Sequence, residues 1–344
     1  MHNEIAPSAL VTGCAGFIGF HVCQCLLENG YRVIGVDSLS DYYDVELKKT
    51  RQSILLQDVN FCAVKGCIET PGLLKELFCD ETPQVVIHLA AQAGVRYSIE
   101  NPRSYLESNI IGTFELLEAA RCRPPKHMLL ASTSSAYGAN IDMPYKETTK
   151  ADHQVSFYAA TKKATENMAH SYAHLYNIPI TMFRFFTVYG PWGRPDMAPF
   201  KFTKALREGT PIDVFNHGKM RRDFTYIKDL VDAVKLLIEA VPIKPVNSKV
   251  DINDSLSPVA PFRVVNIGNS NAVELKEFIS AIEEATGQQA KCNFMPMQDG
   301  DVTVTWADVT LLKSLTGYIP QTSIKDGIKL FVEWYDQYYP ETSA

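Results

Sequence analysis

Apolar residues recur along the first 190 positions in two alternating rhythms. Short, nearly unbroken apolar runs occupy Ser8–Thr12, Arg32–Asp37, 61–64, 85–89, 127–132 and Ile180–Phe185. Between them, 17–29, 72–79, 112–120 and 158–176 carry apolar positions at the three-to-four-residue spacing of a helix. An unbroken apolar run suits a strand buried on both faces, and a helix with one apolar stripe is what covers such a sheet. Their alternation predicts a doubly wound, parallel α/β sheet. Beyond Pro191 the rhythm loosens into helices at 199–208, 227–240, Leu275–Thr286 and Ile324–Tyr338, with short strands at 212–215, 263–267 and 291–295. The stretch 241–261 carries four prolines and reads as a surface loop. This change divides the chain into 1–190 and a smaller α/β lobe, 191–344. The lobes interleave, because the 227–240 helix is apolar enough to pack back on the sheet.

Composition narrows the function classes. A chain of 344 residues has room for two lobes, and a net charge of −6 offers no basic field for nucleic acid. An anionic ligand must therefore be met locally, by Arg, Lys or backbone N–H groups. No apolar run approaches the ~20 residues of a membrane helix. Residues 1–7 lack the charged, apolar and cleavage regions of a signal peptide, so no membrane partner and a cytoplasmic location are expected. The eight cysteines form no C-x-x-C pair and no H-E-x-x-H run is present, so no metal site is expected.

The most informative local run is Gly13-Cys14-Ala15-Gly16-Phe17-Ile18-Gly19, joining the first strand to the first helix. Glycines there let the backbone approach a pyrophosphate, and a helix N-terminus supplies free N–H donors. The second strand ends at Asp37, an acid placed to accept from the adenosine ribose and to repel a 2′-phosphate. NAD rather than NADP is the cofactor expected. Tyr158 and Lys162, four apart in a helical stretch, share one face. A nearby ammonium and a positive nicotinamide favour the phenolate, which could then take a proton from a substrate hydroxyl. Taken alone, this spacing equally describes a half-buried tyrosine beside an exposed lysine. It follows a second cluster, Ser132-Thr133-Ser134-Ser135, at the C-terminal end of an apolar strand, where ligands sit in doubly wound sheets.

Together the glycine turn, Asp37, His88-Leu89-Ala90-Ala91, Asn109 with Gly112-Thr113, the Ser/Thr cluster and Tyr158/Lys162 resemble the extended short-chain dehydrogenase/reductase family over essentially the whole chain. The resemblance implies a Rossmann-type fold, tightly held NAD, a nucleotide-sugar substrate and Thr133 as the catalytic hydroxyl. It also implies cofactor contacts at Phe17, Ile18, Ile68, Leu89, Ala90 and Ala91. One departure is Gly66-Cys67-Ile68, where the family often reads Gly-Asp-Ile; Ile68 is left to pack against the adenine.

Residues 91–98, 132–135, 184–191 and 193–198 further resemble the branch of that family acting on UDP-glucuronate at C4. That branch implies epimerisation to UDP-galacturonate through a 4-keto sugar. Its dehydratases resemble Thr-Asp-Glu where this chain has Thr133-Ser134-Ser135, so dehydration is disfavoured. Ser134, Ser135 and Thr187 are the candidate donors to the sugar carboxylate, with Arg96 as a cationic helper. Arg222, within an Arg-Asp-Phe run, and Arg194 are expected at the pyrophosphate, Phe215 beside the uracil and Asp301 at the ribose. A homodimer is implied, through helices at 99–120 and 158–176. Two other readings stay open: a 4-epimerase or dehydrogenase on a neutral UDP-hexose, and a non-catalytic NAD- or nucleotide-sugar-binding protein.

Overall fold

The computed structural model describes residues 6–297 and 302–340, so the expected ribose contact at Asp301 lies outside the described residues. Among the described residues, twelve strands follow one another: β1 (Ser8–Thr12), β2 (Arg32–Asp37), β3 (Phe61–Lys65), β4 (Val85–His88), β5 (His127–Thr133), β6 (Ile180–Phe185), β7 (Thr187–Tyr189), β8 (Ile212–Val214), β9 (Arg221–Tyr226), β10 (Phe262–Ile267), β11 (Ala272–Glu274) and β12 (Cys292–Phe294). Seven form one parallel sheet in the order β10-β6-β5-β4-β1-β2-β3. This is the doubly wound Rossmann-type sheet that the alternating pattern predicts. The strand order reverses between β1 and β4, which opens a crevice at their C-terminal ends.

β1, β4, β5, β6 and β10 are buried along their whole length, as continuous apolar runs require. Successive side chains alternate between two cores. Leu10, Ile34, Val86 and Leu130 face one, with Phe78, Leu116 and Ala169 from the covering helices. Val11, Val33, Ile87 and Leu129 face the other, with Phe20, Leu26, Leu230 and Val234. The helix Ile227–Glu239 packs against Phe17–Glu28, and β10 extends the large sheet beside β6. The chain beyond residue 191 thus returns twice to the first layer.

The helix expected over 99–120 is broken. Tyr97–Glu100 ends before Asn101, Pro102–Tyr105 restarts with Pro102 in its first turn, and a wider π-helical turn, Leu106–Ile111, leads into Gly112–Cys122. Proline lacks the N–H that a continuous helix needs and clashes with the preceding turn. Of two small sheets, the parallel pair β8–β12 falls in the strands expected at 212–215 and 291–295, while β11-β9-β7 matches none of the expected strands. β7 and β11, at three residues each, are too short to display alternation. No helix among the described residues is long and apolar enough to cross a membrane.

Candidate active site

The crevice widens into a cavity of about 1080 Å³ running from the glycine turn to the second lobe. Its floor is backbone. Gly13 has φ +76°, which side-chain-bearing residues rarely adopt, and a Cβ there would lie 2.8 Å from the Ala90 nitrogen. A Cβ on Gly19 would lie 2.0 Å from the Gly13 carbonyl oxygen, so the helix can start against the turn only without one. Gly16 caps the helix Phe17–Glu28 with no side-chain hydrogen bond and no acid in the first turn. Its N–H groups remain for an anion.

Asp37 stands beside this turn. It accepts from the Ala15 N–H at 2.9 Å through one oxygen and from the Leu39 N–H at 2.8 Å through the other. Each oxygen keeps a lone pair for a ribose hydroxyl. The Thr12 hydroxyl accepts from the Leu89 and Ala90 N–H groups, both at 3.2 Å, and shares a hydrogen bond of 2.7 Å with His88 Nδ1. His88 Nε2 faces Thr113 Oγ1 at 3.3 Å. Burial, with the Lys162 charge nearby, lowers His88 to about 3 and keeps the ring neutral. Phe17, Ile18, Ile68, Leu89, Ala90 and Ala91 all line the same end of the cavity, and Cys67 is exposed instead. Glycine floor, uncapped helix and acid suit a dinucleotide.

At the centre, β5 delivers Thr133 and the helix Phe157–Tyr176 delivers Tyr158 and Lys162. Ser156 caps that helix by accepting from the Ala159 N–H at 3.1 Å, which fixes where it begins. The Thr133 hydroxyl stands beside the Tyr158 phenol and favours its ionised form. Thr133 also accepts from the Ser135 N–H at 3.1 Å, starting the 3₁₀ turn Ser134–Tyr137. Burial pushes the Tyr158 phenol above its ordinary value, and the nearby Thr133 hydroxyl and Arg194 charge pull it partly back. The lysine expected to do this has itself been lowered by burial to about 8, offset in part by Glu166.

The far end is built from side chains on separate segments. Ser134, Ser135 and Thr187 line the cavity and a smaller chamber of about 140 Å³ adjoining it, with Arg222 at the edge of both. The Arg222 guanidinium donates to the Arg221 and Thr303 carbonyls, both at 3.1 Å. Arg194 is gripped by Asp196 through two bonds of 3.0 and 2.6 Å, with Tyr42 also donating to Asp196. Arg96 lies over the Phe215 ring at 4.8 Å, a cation–π pair joining the loop after β4 to the turn after β8. Every expected site residue among the described ones therefore opens on one cavity. Lining residues that the sequence did not single out include Tyr42, Lys48, Glu69, Lys201, Met220 and Leu275. They lie in irregular loops or on helix faces whose periodicity marks a core and cannot mark a cavity wall.

Residues 9–252 match the model of the NAD dependent epimerase/dehydratase family. The chain is 51% identical over 331 residues to a probable UDP-glucuronate 4-epimerase of Rhizobium meliloti, covering 96% of this chain and 97% of that protein. It is 43% identical over 339 residues to UDP-glucuronate 4-epimerase 2 of Arabidopsis thaliana, covering 97% and 77%. The fold superimposes with a TM-score of 0.86 on a UDP-glucuronic acid 4-epimerase of Bacillus cereus solved with UDP-glucuronic acid and NAD, 33% identical, covering 96% of this chain and 100% of that one. Matched over most of its length by that family's model and nearly end to end by these relatives, the chain belongs to the NAD dependent epimerase/dehydratase family.

Proposed function

We propose that this chain interconverts UDP-glucuronate and UDP-galacturonate by NAD-dependent epimerisation at C4, through a transient 4-keto sugar. One observation carries the reading. Thr133, Tyr158 and Lys162 open on the same cavity as the glycine turn, and the turn beside them offers Ser134 and Ser135 in place of carboxylates. When bound at the glycine turn, NAD supplies a hydride acceptor and donor. Tyr158 takes the C4 hydroxyl proton, relayed through Thr133, and later returns it. Lys162 holds positive charge beside the developing phenolate. No side chain of the turn can remove a C5 proton, which separates this chemistry from dehydration. Glu166, the carboxylate that meets Ser132, does not line the cavity and is committed to Arg184.

The 4-keto intermediate of an acid sugar is a β-keto acid, which loses carbon dioxide readily. Hydroxyls of Ser134, Ser135 and Thr187 are suited to hold the carboxylate out of the alignment that favours this loss. Arg222 and Arg194 meet the pyrophosphate and Phe215 flanks the base, while Arg96, expected beside the sugar carboxylate, is drawn toward the base end by its stacking on Phe215. Residues 191–344, apart from β10 and the helix Ile227–Glu239, serve as the nucleotide-sugar lobe. Two copies pair through the helical stretches around 97–122 and Phe157–Tyr176. Leu106, Ile111, Phe114 and Phe157 support this pairing, being apolar and exposed there. Eight free cysteines favour a reducing, cytoplasmic setting. Initial rates on UDP-glucuronate and UDP-glucose, measured side by side, test the assignment. A clear preference for the acid sugar is expected, and preference for the neutral sugar overturns it.

A further inference from the structure

Tyr158, Lys162 and Glu166 recur every four residues along the helix Phe157–Tyr176, and so share one face. The first two meet the cavity. The third is buried behind the Thr133 turn, where one of its oxygens accepts from Ser132 Oγ at 2.6 Å and from Arg184 Nε at 2.8 Å. The other accepts from Arg184 Nη2 at 2.8 Å and Lys163 Nζ at 3.0 Å. Ser132 and Arg184 are partners in register on β5 and β6, one residue before the strands reach Thr133 and Phe185. The Arg184 guanidinium lies 4.4 Å over the Tyr137 ring, at the end of the same Ser134–Tyr137 turn. A single carboxylate thus joins the helix carrying the phenol, the strand carrying the hydroxyl and the turn facing the sugar.

We propose that Glu166 is a positioning residue for the reaction: its clamp on Ser132 and Arg184 sets the register of the catalytic helix against β5, so that Thr133 meets Tyr158. This rests on the functional reading above. A buried carboxylate satisfied by four donors resists sliding, because any shift leaves a charge unpaired in a dry interior. Misplacement of reacting groups by about 1 Å costs about 100-fold in rate, and the clamp lies one residue from one reacting group and one or two helical turns from the others. Its charge also supports the ammonium of Lys162 against burial.

The test uses the NAD-loaded full chain and needs no substrate for its first readout. The Tyr158 phenol is titrated by ultraviolet difference against Tyr158→Phe, in the parent, in Ser132→Ala, in Glu166→Gln and in Glu166→Gln/Arg184→Met. The groups facing that phenol are Thr133 from β5, Arg194 from the loop after β7, Tyr105 edge-on, and Lys162 on its own helix. Displacing the Thr133 hydroxyl from Tyr158 removes a downward pull, so Glu166→Gln should move the titration up. Its kcat should fall about 10- to 100-fold with KM changed less than about twofold. Ser132→Ala leaves the ion pair intact and should move both in the same direction by less. The double variant, without an unpaired buried charge, should regain the parent's Tm but keep the displaced titration and low kcat. An unmoved titration in Ser132→Ala and the double variant, or kcat returning together with Tm, overturns the proposal. A parent that fails to turn over UDP-glucuronate refutes the functional reading, and the titration still decides this one.

Discussion

The two ends of the cavity are made of different material. The dinucleotide end is backbone: Gly13 at φ +76°, Gly19 pressed on the Gly13 carbonyl, an uncapped helix start, and Asp37 fixed by two N–H groups of its own vicinity. The sugar end is side chain: Arg96, Ser134, Thr187, Arg194, Phe215 and Arg222 come from six separate segments. A backbone site is set by local conformation and serves a ligand part common to many reactions. A side-chain site is assembled by the tertiary fold and can change specificity without disturbing the sheet. Injury to one end should therefore spare the other.

The largest separation is expected from Tyr158→Phe. Removing the proton acceptor should lower kcat by about 10³, equivalent to about 4 kcal/mol, within the range of general acid–base catalysis. NAD content after purification should be unchanged. Loss of NAD along with activity would mean that the two ends are not separable. Gly19→Ala attacks the other end. A methyl group 2.0 Å from the Gly13 oxygen must push the helix off the turn. Destabilisation on the order of 3 kcal/mol is expected, read as a lower Tm with bound NAD lost. Retention of parent Tm and NAD would show that the close approach is not required.

Acid should distinguish the ends more gently. Burial lowers His21 to about 4 and His88 to about 3, both at the dinucleotide end, and His127 in the sheet to about 4. Each is neutral when folded but takes a proton near 6.5 when unfolded. Their contribution is complete above that pH and is lost as pH falls below it. Glu147, raised by burial to about 7, works in the opposite sense, since its ionised form is the disfavoured one. Glu166, lowered to about 2 by Arg184, Lys163 and Ser132 against the cost of its burial, contributes in full above about 4.5. Asp223, raised by burial to about 6, works with Glu147, and three histidines against these two carboxylates still predict lower stability, and so a lower Tm, at pH 5 than at pH 7, by on the order of 1 kcal/mol per pH unit. A flat profile over that interval would contradict neutral burial of the histidines. The smallest effect belongs to Phe215→Ala. With Arg96 still present, KM for the UDP-sugar should rise about threefold and kcat should hold. A fall in kcat would place Phe215 nearer the reaction than the cavity does.

This contrast also explains what the sequence could disclose. The glycine turn, Asp37 and the alternating strands are legible because local conformation and periodicity write them directly into residue order. Thr133, Tyr158 and Lys162 are legible only in company, since each pattern is common by chance. The pairing of Arg96 with Phe215 and of Tyr42 with Asp196 depends on loops meeting across the cavity, and no spacing encodes it. The broken helix before Gly112 could have been read from Asn101-Pro102. β7 and β11 could not, because three residues carry no period. The role of Glu166 was hidden for another reason: a glutamate on a helix ordinarily faces solvent, and only the fold places Ser132 and Arg184 around it.

The central claim is that one resident cofactor takes and returns the same hydride at C4 while the carboxylate stays in place. Proton NMR of UDP-glucuronate incubated with the protein in deuterium oxide, without added NAD, tests it directly. UDP-galacturonate should accumulate at the expense of UDP-glucuronate, with protium retained at C4 and C5 and no loss of carbon dioxide. Deuterium at either carbon, a decarboxylated UDP-pentose, or no product at all would contradict the account.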